Sequence, residues 1–212
     1  MTAARAKVRT DHWAAPSQHG ARGNRYYDTR LGSEVIRVLP GDYHVTADDV
    51  GLVTTLGSCV SACIRDPQAG IGGINHFMLP ESEMSGSGIA SARYGGFAME
   101  MLINEVLKQG GRRNRLEAKV FGGANVLQGI TSTEVGSRNA HFVVDYLQNE
   151  QVPIVAEDLG GGHPRKLVYF PVTGRALVMR LAPLRNREEL EAERHYLESL
   201  RAPVAGDVEL FG

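Results

Sequence analysis

The stretch TTLGSCVSACIRDPQAGIGGINHFMLP, residues 54–80, decides the fold. Over residues 59–64, apolar side chains alternate with small or polar ones, as the two faces of a β-strand require. Residues 66–70, with the sequence DPQAG, are typical of a turn, and a second apolar run follows at 71–79. The stretch therefore predicts a β-hairpin.

The pairing of this hairpin predicts where its first cysteine and its histidine lie. If Arg65 pairs with Gly70, the numbers of paired residues sum to 135, and Cys59 lies opposite His76. Directly opposed residues of an antiparallel pair share a face, with their Cβ atoms about 4.5–5.5 Å apart. A cysteine and a histidine in these positions can exchange a proton.

Cys59 and His76 in this arrangement predict a nucleophilic pair. His76 would take the proton from Cys59, and the thiolate would attack a carbonyl carbon. Backbone N–H groups of residues 57–59 are suited to receive the oxygen that becomes negative in this step. Thr54 or Thr55 would accept a hydrogen bond from the second ring nitrogen and orient the imidazole.

The same side chains have two other interpretations. A free cysteine in a cytosolic protein is usually a small buried hydrophobic residue, and we assign Cys63, further along the apolar strand, to the core. A metal site formed by Cys59, Cys63 and His76 is disfavoured, because residues four apart on a strand are separated by about 13 Å. The sequence therefore predicts no metal site.

The composition limits the classes of protein that need to be considered. The chain has 212 residues, of which 42% are hydrophobic, and this is enough for one domain with a substantial core. The formal net charge of -1 gives no field that would attract nucleic acid. There is no apolar run of the roughly 18 residues that a membrane-spanning helix needs. We expect a cytoplasmic protein with two free thiols and no membrane insertion.

Short strands outnumber helices along the rest of the chain. Helices are predicted at 93–109 and at 137–148, the second with Ser137 as its N-cap. Residues 81–92, ESEMSGSGIASA, are small and polar and predict a loop. The helices do not alternate with the strands as regular βαβ units. The expected fold class is therefore α+β, a layered α/β sandwich with mostly antiparallel sheets.

Three parts of the chain are distinguished by their composition. Residues 1–32 are polar and basic and predict a flexible N-terminal arm. Residues 33–184 contain the predicted strands and form the expected domain. Residues 185–212 predict a charged C-terminal helix and tail, with Leu190 and Leu200 among its few apolar residues. A solvated helix resting on the domain is the simpler interpretation, and a docking site for a partner is the alternative.

Six stretches of the sequence resemble, in the same order, the chemoreceptor glutamine deamidase family CheD. With their flanks they cover roughly residues 35–181, so the arm and the charged helix lie outside the resemblance. The Gly-Ser-Cys stretch followed by the histidine-containing strand is its most specific part. The stretches are TTLGSCVSACIRDP (54–67), GGINHFMLP (72–80), RYGGFAMEMLINEVLKQG (93–110), LEAKVFGGANV (116–126), VGSRNAHFV (135–143) and VAEDLGGGHPRKLVYFPVTG (155–174).

The resemblance implies a layered α/β sandwich and a catalytic triad of Cys, His and Thr. On this sequence the triad maps onto Cys59, His76 and Thr54, with Thr55 adjacent to the third position. The implied reaction is protein-glutamine deamidation through a thioester, with release of ammonia and without a cofactor. The implied substrates are methyl-accepting chemotaxis receptors, on their cytoplasmic helical bundle, and the implied process is chemotaxis adaptation. The loop at 81–92 follows the His76 strand and is expected to line the rim of the site.

Two other functions are compatible with the sequence. A thiol methylesterase or amidase acting on receptors would use the same nucleophile. A non-catalytic signalling adaptor is the alternative from a different class, because some members of the resembled family bind a CheC-type phosphatase.

Overall fold

Two five-stranded sheets form the body of the protein. The computed structural model describes residues 24–80, 88–126 and 135–182, and near the C-terminus residues 191, 195–196 and 198–200. The strands are β1 (Arg25–Asp28), β2 (Ser33–Arg37), β3 (Tyr43–Thr46), β4 (Gly51–Leu56), β5 (Val60–Asp66), β6 (Ile71–Asn75), β7 (Glu117–Gly122), β8 (Ile154–Leu159), β9 (Arg165–Phe170) and β10 (Arg175–Arg180); the helices are α1 (Gly88–Lys108) and α2 (Val135–Asn149).

The strand order defines two sheets, which we call sheet A and sheet B. Sheet A has the order β1-β2-β4-β9-β10, and sheet B has the order β3-β6-β5-β7-β8. Among the described strands, β2 with β4 and β7 with β8 are parallel pairs. The other six pairs are antiparallel. The expected α+β fold with mostly antiparallel sheets is confirmed.

Two clusters of buried side chains hold three layers together. On one face of sheet B, Val60 and Ile64 of β5 pack with Leu102 of α1 and Leu147 of α2. On the other face, Cys63 of the same strand belongs to a cluster that is shared with sheet A. The alternation that was read from the sequence of β5 therefore separates its helix-facing residues from those that face sheet A. The layers follow the order helices, sheet B, sheet A.

The β5–β6 hairpin is present, but its predicted register is wrong. Arg65 pairs with Gly72, not with Gly70, and Asp66 pairs with Ile71. Paired residue numbers sum to 137, so Cys59 is not directly opposite His76. The cause is the side chain of Asp66, whose Oδ1 accepts hydrogen bonds from the backbone N–H groups of residues 68 and 69 at 2.9 and 3.1 Å. This Asx-type turn moves the loop one residue along the chain.

Four expectations about element boundaries need correction or fall outside the described residues. Strand β1 lies within the predicted flexible arm 1–32, because its residues pair with β2, so the sheet begins at Arg25 and not at residue 33. Helix α1 begins at Gly88, inside the predicted loop 81–92, and residues 81–87 are outside the described part. Ser137 lies within α2, which begins at Val135, and its hydroxyl contacts Asn125 and does not cap the helix. Leu190 is outside the described residues.

Helices α1 and α2 belong to the packed layers, and neither meets the requirements of a membrane span. None of the helices in the described ranges is long and apolar enough to cross a membrane.

Candidate active site

The chain passes from sheet A to sheet B through residues 57–59, between β4 and β5. This short connection carries Cys59, which is fully buried. The carbonyl oxygens of its three residues each accept a hydrogen bond, so the connection is fixed along its whole length. The donors are Ala124 N to Gly57 O at 2.8 Å, Asn139 Nδ2 to Ser58 O at 2.8 Å and Gly123 N to Cys59 O at 2.7 Å.

Gly122, at the end of β7, allows the Cys59 backbone to come this close. A Cβ atom at position 122 would lie 2.2 Å from the carbonyl oxygen of Cys59. The φ of Gly122 is +107°, a conformation that residues with side chains rarely adopt. Both facts require glycine here.

His76 directly follows β6 and is held by the loop before β3. Its backbone N–H donates to Asp42 O at 2.9 Å, and its carbonyl accepts from Gly41 N at 2.7 Å. The hairpin register continues through the Val60–Phe77 bridge, and 137 minus 76 gives Ser61 as the residue facing His76. Cys59 comes two residues earlier, so it points to the same face as Ser61 and is a diagonal neighbour of His76.

The hydroxyl of Thr54 connects sheet A to the imidazole. Its Oγ1 donates to the carbonyl of Val38 at 2.8 Å and lies 2.7 Å from Nδ1 of His76. A hydroxyl has one proton to donate, and Val38 O can only accept, so Oγ1 must accept from Nδ1–H. Thr55 occupies the opposite face of β4 because strand side chains alternate. Thr54 is therefore the threonine that contacts the ring.

This arrangement sets the chemical state of His76. With the proton on Nδ1, the neutral ring has its free electron pair on Nε2. Nε2 is buried and has no hydrogen-bond partner among the described residues, so no Cys59–His76 hydrogen bond is formed in this state. Catalytic hydrogen bonds are often formed only when substrate binds. Burial lowers the pKa of His76 to about 3, although the Val38 carbonyl favours the charged ring.

The second cysteine differs from the first in its position. Cys63 lies in the middle of β5, fully buried between the sheets, and burial raises the pKa of its thiol. Its place in the core cluster agrees with a packing role. No group of three or more potential metal-ligating side chains occurs in the part of the chain that the structure describes.

Sequence reasoning missed Asn139, which connects the segments that carry Cys59 and His76. This fully buried residue of α2 donates from Nδ2 to Ser58 O and accepts from Leu79 N at 2.9 Å through Oδ1. One amide thereby links the connection at 57–59 to the strand extension after His76. The signal in the sequence was a polar residue on the buried side of a predicted amphipathic helix.

Two tyrosines that are distant in the sequence meet beside the core cluster that contains Cys59. Tyr94 of α1 is buried, and its hydroxyl forms a hydrogen bond with the hydroxyl of Tyr196 in the C-terminal segment. Burial is the largest cause that raises the pKa of Tyr94 and of Tyr196, and a negative charge on Cys59 would raise both further. No local pattern predicts this contact, because the two residues are 102 positions apart.

The fold and the site define an α+β protein that brings a thiol, an imidazole and a hydroxyl to the junction of two sheets. These are the groups of a thiol-dependent hydrolase. The assignment of Cys59, His76 and Thr54 as catalytic residues is a proposal that we develop below.

Comparison with known proteins identifies the family. Residues 78–180 match the family described as CheD chemotactic sensory transduction. A "Probable chemoreceptor glutamine deamidase CheD" of Xanthomonas campestris pv. campestris (strain B100) is 56% identical over 188 residues, which cover 88% of this chain and 94% of that protein. A protein of Methylobacillus flagellatus with the same name is 49% identical over 202 residues, 93% of this chain and 100% of that protein. The chain belongs to the CheD family, as its sequence predicted.

The burial of His76 predicts a pH-dependent stability. Its folded pKa of about 3 lies below the ordinary 6.5, so between these values the unfolded chain binds a proton that the folded chain does not. The contribution of His76 is complete above pH 6.5 and is lost as the pH falls towards 3. We expect the free energy of unfolding of the wild type to fall about 1.4 kcal/mol per pH unit more steeply than that of His76→Gln between about pH 6 and 4.

Urea denaturation of both proteins at a series of pH values measures this difference in slope. The matched control is the range above pH 6.5, where the two slopes should coincide. Parallel curves over the acidic range would contradict a buried neutral His76.

Replacement of Asn139 is expected to destabilise the junction. Asn139→Ala leaves a buried carbonyl and a buried N–H without their partners, which costs about 2 to 4 kcal/mol in the free energy of unfolding. Asn149→Ala, at the exposed end of the same helix, is the matched control and should change it by less than about 1 kcal/mol. Equal effects of the two substitutions would show that the amide of Asn139 does not link the two segments.

Proposed function

We propose that the protein is a glutamine deamidase that converts glutamine side chains of chemotaxis receptors to glutamate and releases ammonia. The names of its relatives, with which the chain aligns over nearly their whole length, support this substrate and reaction. The observation that carries the mechanism is the contact of Thr54 with Nδ1 of His76, because it leaves a neutral Nε2 that can act as a base.

In the first half of the proposed reaction, Cys59 displaces ammonia. Nε2 of His76 accepts the proton of the Cys59 thiol, and the sulfur attacks the carboxamide carbon of the glutamine. A bond forms between sulfur and carbon, and the oxygen becomes negative. The imidazolium then gives its proton to the amide nitrogen, the C–N bond breaks, and ammonia departs. A thioester remains on Cys59.

In the second half of the proposed reaction, water hydrolyses the thioester. Nε2 of His76 accepts a proton from water, and the oxygen attacks the thioester carbon. The C–S bond breaks, the product is the glutamate side chain, and the imidazolium returns its proton to the sulfur. Backbone N–H groups of residues 57–59 are the proposed donors to the negative oxygen in both halves, and the fixed carbonyls of this connection support a rigid arrangement.

The proposed target is the cytoplasmic helical bundle of the receptor, which places the reaction in the cytoplasm. Each turnover replaces a neutral amide with a carboxylate on a receptor helix. The change in charge alters the stability of the helical bundle and so changes receptor signalling in chemotaxis adaptation. The proposed mechanism uses side chains and backbone N–H groups of the protein, and water.

The function predicts a mass change that depends on Cys59. Incubation of the purified protein with the cytoplasmic fragment of a cognate receptor should raise the mass of specific glutamine positions by about 1 Da, because NH is replaced by O. Cys59→Ala should abolish this change, whereas Cys63→Ala, which removes the core thiol, should retain it. Peptide mass spectrometry measures both.

Conversion of the same glutamines by Cys59→Ala would contradict the proposal. Release of methanol from methylated receptor, without release of ammonia from the amidated form, would indicate the methylesterase instead.

The two adjacent threonines provide a test of the orienting role. Thr54→Val removes the acceptor for Nδ1–H and is expected to lower kcat about 100-fold, because the ring loses its tautomer and orientation. Thr55→Val, with the same change on the other face of β4, should keep kcat within about twofold. Ammonia release from the receptor fragment gives both values. A larger loss for Thr55→Val than for Thr54→Val would refute the assignment.

A further inference from the structure

Tyr196, in the helical C-terminal segment described at residues 195–196 and 198–200, lies against the loop that holds His76. A Cβ atom placed on Gly41 would be 3.2 Å from Cε2 of the Tyr196 ring and 3.4 Å from its hydroxyl oxygen. The N–H of Gly41 donates to the carbonyl of His76. The ring of Tyr196 therefore packs against Gly41, whose N–H is hydrogen-bonded to the carbonyl of His76.

The hydroxyl of Tyr196 also contacts helix α1. It forms a hydrogen bond with the hydroxyl of Tyr94, which is buried on α1. Tyr196 also packs against the core cluster that contains Cys59. Tyr196 thus extends from the loop beside His76 to Tyr94 and to the cluster that contains Cys59.

The described residues of the segment form one face on the body of the protein and one face in solvent. Leu200, one helical turn after Tyr196, packs with it against both core clusters. His195, Glu198 and Ser199 are exposed. A partly buried tyrosine and leucine four residues apart are the pattern by which an amphipathic helix binds an apolar surface. The described residues of the segment therefore rest on the domain through Tyr196 and Leu200.

The closed state of the site conflicts with a substrate that is another protein. Cys59 is fully buried and His76 is 2% exposed. A glutamine side chain on a receptor helix reaches Cys59 only if part of this covering moves. Tyr196 belongs to a segment outside the two sheets, whereas Tyr94 and the loop at Gly41 are built into the domain. Of these three groups, Tyr196 is therefore the one whose displacement costs the least free energy.

We propose that the C-terminal segment is a displaceable cover of the Cys59–His76 site, and that a receptor helix carrying the target glutamine binds the surface that Tyr196 occupies. The identity of the partner rests on the proposed function, whereas the covering does not. Since only the uncovered fraction binds substrate, weakening the cover lowers the apparent KM.

The test uses the full-length chain and the rate at which iodoacetamide alkylates each cysteine. Tyr196→Ala is expected to raise the rate at Cys59 about tenfold, and Tyr196→Phe, which loses only the hydroxyl contact, about two- to threefold. Cys63 is the internal reference for the intact fold and should stay slow in both. His195→Ala, on the exposed side of the same segment, is the matched control and should leave the Cys59 rate unchanged.

A selective increase at Cys59 in the Tyr196 variants supports the cover, and an unchanged Cys59 rate in both overturns it. If Tyr196→Ala accelerates alkylation of both thiols equally, it has loosened the fold, and Tyr196→Phe decides by the same criterion.

The receptor assay separates the two proposals. A selective increase in the alkylation rate of Cys59 without deamidation of any receptor supports the cover and refutes the proposed function. Deamidation with an unchanged KM and an unchanged Cys59 rate supports the function and refutes the cover.

Discussion

The hydroxyl of Thr54 has one proton, which it donates in a hydrogen bond to the carbonyl of Val38. The interpretation of the site depends on this hydrogen bond, because it requires Thr54 to accept from Nδ1 of His76 and leaves Nε2 unprotonated. Thr54 lies on β4 of sheet A, and His76 follows β6 of sheet B. Contact between the two sheets therefore determines the state of the imidazole. The same packing raises the energy of a charged ring, which keeps the base neutral.

A buried Nε2 without a partner is unfavourable for folding, and the surrounding structure compensates for it. Such an atom costs about 1–3 kcal/mol relative to a satisfied one. The carbonyls of residues 57–59 are all bonded, and Asn139 connects this segment to the strand extension after His76. These contacts fix the backbone of the connection that carries Cys59 relative to the strand extension that follows His76. In the proposed mechanism, substrate binding displaces Tyr196 and completes the proton transfer from Cys59 to Nε2 of His76.

Local sequence patterns predicted the strands and the face on which Cys59 lies, because alternation depends on neighbouring residues alone. The predicted register was wrong by two residues, since the side chain of Asp66 forms the turn and alternation does not report such a bond. A register shift of two residues keeps each side chain on the same face of the sheet, and for this reason Cys59 and His76 remain neighbours. The choice between Thr54 and Thr55, and the contact of Tyr196, depended on pairing between distant segments. Neither was available from a local pattern.

The protonation of the His76 ring, observed by ¹⁵N NMR of the selectively labelled full-length protein, tests the central claim most directly. The account predicts one neutral tautomer at neutral pH, with the proton on Nδ1 and none on Nε2, and no titration of this ring down to about pH 4. Thr54→Val should abolish the preference for this tautomer. A proton on Nε2 in the wild type, or titration near the ordinary pKa of 6.5, would contradict it.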